Sequence, residues 1–250
     1  MLSLLVEIVK HMPGHHDQKA HGRTKGAKGY QDKPKYSKKV SSVISTGERI
    51  IRACLAESAQ GSDEAESIIL GLRWMGDNQP KVQATNKPKT AGLLRESEKG
   101  MKWLQQMLPP HPEEEHRGEA AGIQFVPGNK SATVEEGMQI ADSASEKEYA
   151  AGNVVHEYGH WIDNLDYLVA TKSYLATRSG GKIVKTTDAG HFLAGDYIDP
   201  YMGLEYDDDA TSNEFVSVGL ENLYRDPVGF KAKDPDSFHL LIGLIYGKRN

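Results

Sequence analysis

The chain of 250 residues contains one cysteine, Cys54. That excludes an intrachain disulfide framework and points to a reducing compartment, with Cys54 itself a core filler. No apolar run approaches the roughly 20 residues that a bilayer-crossing helix needs. The apolar opening, Leu2 to Val9, is short, contains Glu7 and has no basic residue before it, so it reads neither as a secretory leader nor as a membrane span. The expectation is a protein made and kept inside a cell, with no membrane partner. A phosphate loop of the GxxxxGK[ST] type is missing too. Ser179-Gly180-Gly181-Lys182 reads instead as the turn of a hairpin between Leu175 and Ile183-Val184, and no internal repeat is visible. With 38% hydrophobic content the length allows one core of ordinary size, hence one principal domain with appended pieces.

The net charge of −5 conceals an asymmetry, since residues 10 to 40 carry +7 and residues 41 to 250 carry −11. The basic segment is rich in glycine and histidine, with His15-His16-Asp17-Gln18-Lys19-Ala20-His21-Gly22 at its centre and almost no apolar side chains. It has little to offset the entropy of ordering, so residues 1–40 are expected to be a disordered tether that is a plain linker, an arm for nucleic acid or an acidic partner, or a metal-binding histidine tract. Residues 41–110 follow as a helical extension. Helical spacing is present in Ser41 to Ser58, Ser62 to Met75 and Thr90 to Leu108, punctuated by Asn78-Gln79-Pro80 and Pro109-Pro110-His111-Pro112. The remaining residues, 111–250, hold the chemistry.

That chemistry centres on His156-Glu157-Tyr158-Gly159-His160. On a helix, the two histidines of HExxH share a face and both reach one zinc ion, while the glutamate beside them holds the attacking water. With 10 histidines and 19 glutamates in the chain, the chance occurrence of this pattern is about 0.03. Val154, Val155, Trp161 and Ile162, extended by Tyr149 and Leu165, make an amphipathic pattern from about Lys147 to Asp166, which predicts the helix. Glycine at 159 is unfavourable there by roughly 1 kcal/mol against alanine. Its presence predicts that something approaches the helix backbone closely at that point.

Two histidines leave zinc short of the usual three protein ligands. The pattern HExxHxxGxxH needs glycine at 163 and histidine at 166, where the chain has Asp163 and Asp166. Asp166 is an alternative ligand but lacks the glycine turn that would bring it back to the metal. Glu214 is the better candidate, because it opens an apolar stretch with helical spacing in Phe215, Val218 and Leu223. Glu221 lies on the same face two turns on, either as an alternative or in support behind a ligand. Asp163 shares the face of His156 and His160 and is a further candidate to accept an imidazole N–H.

The strings HEYGHWID, DPYMGLEY and NEFVSVGLENLYRDPVGFKAKDPDSF resemble the zincin-type metallopeptidase domain encoded in tailed phages and prophages, often near head-assembly genes. More distantly they resemble the catalytic domain of anthrax lethal factor. The similarity runs from about Gly122 to Gly247. It implies an α+β zincin-like fold of gluzincin type, with His156, His160 and Glu214 as zinc ligands and Glu157 as general base. It further implies a tyrosine that stabilises the oxyanion. Tyr206, eight residues before Glu214, is the first choice and Tyr201, thirteen before it, the second; neither stands at the position of the lethal-factor pattern, which leaves the choice open. An edge strand ahead of the metal helix would bind the peptide, and Gly122–Val126 and Met138–Asp142 are the two segments that suit.

The implied activity is zinc-dependent endopeptidase cleavage of a phage structural or host protein, in the bacterial cytoplasm or the virion. The alternatives are a head or virion component that keeps the fold without catalysis, and a host-directed effector protease.

Overall fold

The computed structural model describes residues 34–57, 62–73, 79–110, 121–128, 131–134, 137–163, 165–188, 190–206 and 213–247. Most of the segment expected as a tether therefore lies outside the described residues. Its last part does not behave as one: Tyr36 stacks on Tyr174 at 5.0 Å, its hydroxyl donates to Asp236 at 3.1 Å, and Ser37 caps the first helix, so the folded body begins at Tyr36, ahead of residue 40.

Among the described residues, eight α-helices and two small sheets give an α+β architecture. Helix α1 (Lys38–Ala56) buries Val40, Ile44, Gly47, Ile51 and Cys54, one stripe at alternating four- and three-residue spacing. That stripe lies along α8 (Pro235–Tyr246), where a Cβ on Gly47 would fall 1.9 Å from the His239 carbonyl oxygen. The two backbones touch, and only glycine fits. Helix α2 (Glu64–Leu72) is capped by Asp63, which accepts from the Glu66 amide at 2.8 Å.

Next come β1 (Val82–Ala84), α3 (Leu93–Met107), β2 (Ala121–Val126), β3 (Ala132–Val134) and β4 (Gly137–Ala141). The sheet runs β1-β2-β4-β3, with the first three strands parallel and β3 antiparallel at the edge. Asn86 prolongs the pairing of β1 with side-chain bonds to both the amide and the carbonyl of Phe125, at 2.7 and 2.9 Å.

The two segments expected to offer a substrate edge are thus the interior strands β2 and β4. Each pairs with a strand on either side, so neither presents a free edge among the described residues. In β4 only Gln139 is partly exposed, between buried Met138 and Ile140. The edge strand that does flank the HExxH helix is β3, three residues long and too short to show an alternating pattern.

Residues Leu165–Ser179 form helix α5, so the Ser179–Lys182 turn joins a helix to a strand rather than closing a hairpin. Gly180 and Gly181 take φ of 60° and 71°, the left-handed conformation that ends helices. The hairpin comes later, between β5 (Ile183–Thr187) and β6 (Gly190–Leu193), and β7 (Leu204–Tyr206) completes an antiparallel sheet.

Helices α6 (Phe215–Arg225), α7 (Pro227–Lys233) and α8 close the chain. Both α7 and α8 start with an aspartate cap and proline in the first turn: Asp226 accepts from Gly229 and Asp234 from Ser237. Asp234 also pairs with Arg178 at 2.6 Å. One continuous core runs from Val40 through Trp103, Ile123, Tyr158 and Phe215 to Tyr246, so residues 41–110 share it with the residues that follow. No helix among the described residues is long and apolar enough to cross a membrane.

Candidate metal centre

Helix α4 (Ala150–Ile162) carries the HExxH pentapeptide. Val154, Val155, Tyr158 and Ile162 anchor it in the core, which leaves His156 and His160 on the opposite edge with side chains 16% and 14% exposed. The helix ends earlier than its periodicity predicts. The Asp163 amide still bonds the Gly159 and His160 carbonyls, at 3.0 and 3.2 Å, and the chain then restarts as α5. Asp166 therefore belongs to a different helix from the histidines, and its side chain lies outside those described.

Helix α6 crosses α4 at Gly159. A Cβ there would lie 2.4 Å from Ser217 Cα and 2.8 Å from Ser217 N. This is the close approach that a glycine between the histidines predicts, and it sets where Glu214 stands. Glu214, at the N-cap position of α6, is brought up to both imidazoles, with its Oε2 3.3 Å from His156 Nε2 and 3.2 Å from His160 Nε2. Donors about 2.1 Å from a common tetrahedral centre stand about 3.4 Å apart. The three ligand atoms lie within 4.8 Å of one another and form a group that can hold a metal ion.

The surrounding side chains fix that group. Glu221 Oε2 lies 3.1 Å from His156 Nδ1, which orients the ring and leaves Nε2 facing Glu214. Arg225 steadies Glu221 through Nη2 to Oε1 at 2.7 Å. Ser217 Oγ donates to Glu214 Oε2 at 2.7 Å, and the Tyr206 hydroxyl donates to Glu214 Oε1. The Tyr201 hydroxyl is 3.4 Å from that of Tyr206, and its ring lies 6.4 Å from His156 and 6.3 Å from Phe192. Tyr201 is the more open of the two, at 39% exposure.

Charge within the group is strongly coupled. Burial alone would lower the pKa of His156, but hydrogen bonds to Glu214 and Glu221 override it and raise it to about 10. Glu214 is buried too, yet the two histidines hold its carboxyl well below the usual range. Without a metal, His156 is therefore protonated at neutral pH and paired with Glu214. Burial pushes Glu157 up, against the pull of Thr133 and both histidines. Burial and Glu214 push Tyr206 far up, and Tyr201 rises to about 12, so both hydroxyls remain donors at neutral pH.

Asp163 does not fill the place expected of it. Among the described residues neither of its oxygens has a hydrogen-bond partner, and it is Glu221 that meets an imidazole nitrogen of His156. The Asn213 amide is close enough to Asp163 to oppose its pKa shift but lies outside hydrogen-bonding geometry; burial dominates and raises the carboxyl to about 7.

Three contributors carry no motif: Thr133, Ser217 and Arg225. Ser217 lies one turn beyond Glu214 and Arg225 one turn beyond Glu221, so helical spacing alone brings both to mind once α6 is assigned. Thr133 reaches Glu157 from a separate strand, and nothing in its local sequence marks it.

Compared with known proteins, the chain matches no family model, no curated protein and no solved structure. The chemistry of the site rests on its own geometry.

Proposed function

We propose that the chain is a zinc-dependent endopeptidase. The observation that carries this reading is that Glu214 lies 3.3 and 3.2 Å from the His156 and His160 Nε2 atoms, with all three ligand atoms within 4.8 Å of one another, next to a buried glutamate that is not itself one of the three. Two nitrogens and a carboxylate oxygen suit zinc, and three protein donors leave a coordination position open, as catalytic zinc requires. A bound zinc would polarise the scissile carbonyl and bring the pKa of water to about 7.

The protein's own groups do the rest. Glu157, 5% exposed and with its carboxyl raised by burial, takes the proton from the attacking water and passes it to the leaving amine. Tyr201 and Tyr206 line the same side of the site. Tyr206 holds the Glu214 carboxylate, and the more exposed Tyr201 is the better placed to donate to the oxyanion of the tetrahedral species. A substrate peptide adds to the open side of β3, held by main-chain hydrogen bonds that demand little of its sequence. The resemblance to phage zincins extends the reading to a phage or prophage source and a structural or host protein as substrate.

Zinc content measured together with cleavage of a broad peptide library tests this. Wild-type protein should hold one zinc and cleave. Glu157→Gln should keep the metal and the fold while losing about 10²-fold or more in turnover. Zinc-loaded wild-type protein that cleaves no peptide would leave a metal-binding protein without the proposed chemistry.

A further inference from the structure

We propose that Thr133 is a positioning residue for Glu157, tying the edge strand on which a peptide would lie to the carboxylate that would act as base. This rests on the peptidase reading above.

Thr133 is the middle residue of β3, opposite Met138 of β4. Its hydroxyl is in hydrogen-bond contact with Glu157 Oε2 and lies 3.2 Å from the Glu157 backbone carbonyl. A threonine hydroxyl has one proton to give, and an ionised carboxylate is the stronger acceptor, so the proton goes to Oε2. Among the described residues no other group hydrogen-bonds this carboxylate. Glu157 is only 5% exposed, so the Thr133 hydroxyl is the donor that fixes Oε2. One oxygen is thereby held and the other left for the attacking water. The β-branched side chain of threonine is stiff about its first torsion, and pairing with β4 fixes the backbone beneath it. The base is therefore aimed by the substrate strand as well as by its own helix, and a peptide seated on β3 meets Glu157 in a set direction.

Steady-state kinetics of zinc-loaded full-length protein test the inference, with zinc content and thermal midpoint measured in parallel. Thr133→Val, nearly isosteric but without the donor, should lower kcat by about tenfold to a hundredfold, with KM and zinc content nearly unchanged. Thr133→Ser, which keeps the hydroxyl, should retain most of the wild-type kcat. A Thr133→Val protein with wild-type kcat overturns the inference and leaves the peptidase reading standing. Equal loss in Thr133→Ser and Thr133→Val also overturns it, because the shape of the side chain and not its hydrogen bond would then matter. Failure of the zinc-loaded wild-type protein to cleave any peptide removes the peptidase reading and this inference together.

Discussion

Replacing Gly159 by alanine should damage the metal centre although the substitution favours the helix. In an exposed helix alanine is more stable than glycine by about 1 kcal/mol. Here the added Cβ would lie 2.4 Å from Ser217 Cα, short of the roughly 3.5 Å of ordinary carbon contact by about 1 Å. The opposing atoms are backbone and cannot rotate aside, so α4 and α6 must separate. Overpacking of this kind costs about 1–3 kcal/mol, so the net change should be a loss of roughly 1 kcal/mol and a fall of a few degrees in the thermal midpoint. The metal should suffer more. Ligand distances tolerate about 0.2 Å, and a 1 Å separation carries Glu214 away from imidazole nitrogens that now stand 3.2 and 3.3 Å from it. Thermal melts of the metal-free protein and a competition titration with a chromophoric zinc chelator measure both effects. A variant with an unchanged or higher midpoint and full zinc affinity would refute the close crossing of α4 and α6.

Three further outcomes follow from the ligands and the groups around them. Glu221→Ala removes the acceptor that orients His156 at 3.1 Å and should weaken zinc binding by about 10- to 100-fold in the same titration, whereas Asp163→Asn should change it far less. Because His156 is protonated in the metal-free protein, with its pKa raised to about 10, zinc binding at pH 7 should release a proton and weaken as the pH falls, which calorimetry in buffers of different ionisation enthalpy detects. The same raised pKa stabilises the metal-free fold fully below the ordinary histidine value of about 6.5, and that stability is lost as the pH climbs towards 10. Thermal melts across that range should show the decline in wild-type protein and less of it in His156→Gln.

The centre was legible where chemistry and helical period coincide. His156 and His160 stand on one face because they are four residues apart, Gly159 announces a close neighbour, and Glu214 opens the next suitable apolar helix. Glu221 could be narrowed only to its face of α6, since its partner, the far nitrogen of His156, depends on how the two helices cross. The sheet was harder to read. Interior parallel strands such as Gly137–Ala141 show near-continuous burial, and the three-residue edge strand is too short to announce itself. Ser179–Lys182 has the composition of a hairpin turn, but Leu165–Ser179 coils into a helix before it, because packing of Leu168, Tyr174 and Leu175 into the core outweighs the weak local preference. Thr133 meets Glu157 only through the antiparallel pairing of β3 with β4, and sequence spacing carries no trace of that contact.

The most direct test is anomalous diffraction at the zinc absorption edge from crystals of zinc-loaded protein. One strong peak is expected about 2.0–2.2 Å from His156 Nε2, His160 Nε2 and a Glu214 carboxylate oxygen, with Glu157 uncoordinated beside it. A peak ligated by other residues, or none between α4 and α6 in protein that carries stoichiometric zinc, would contradict it.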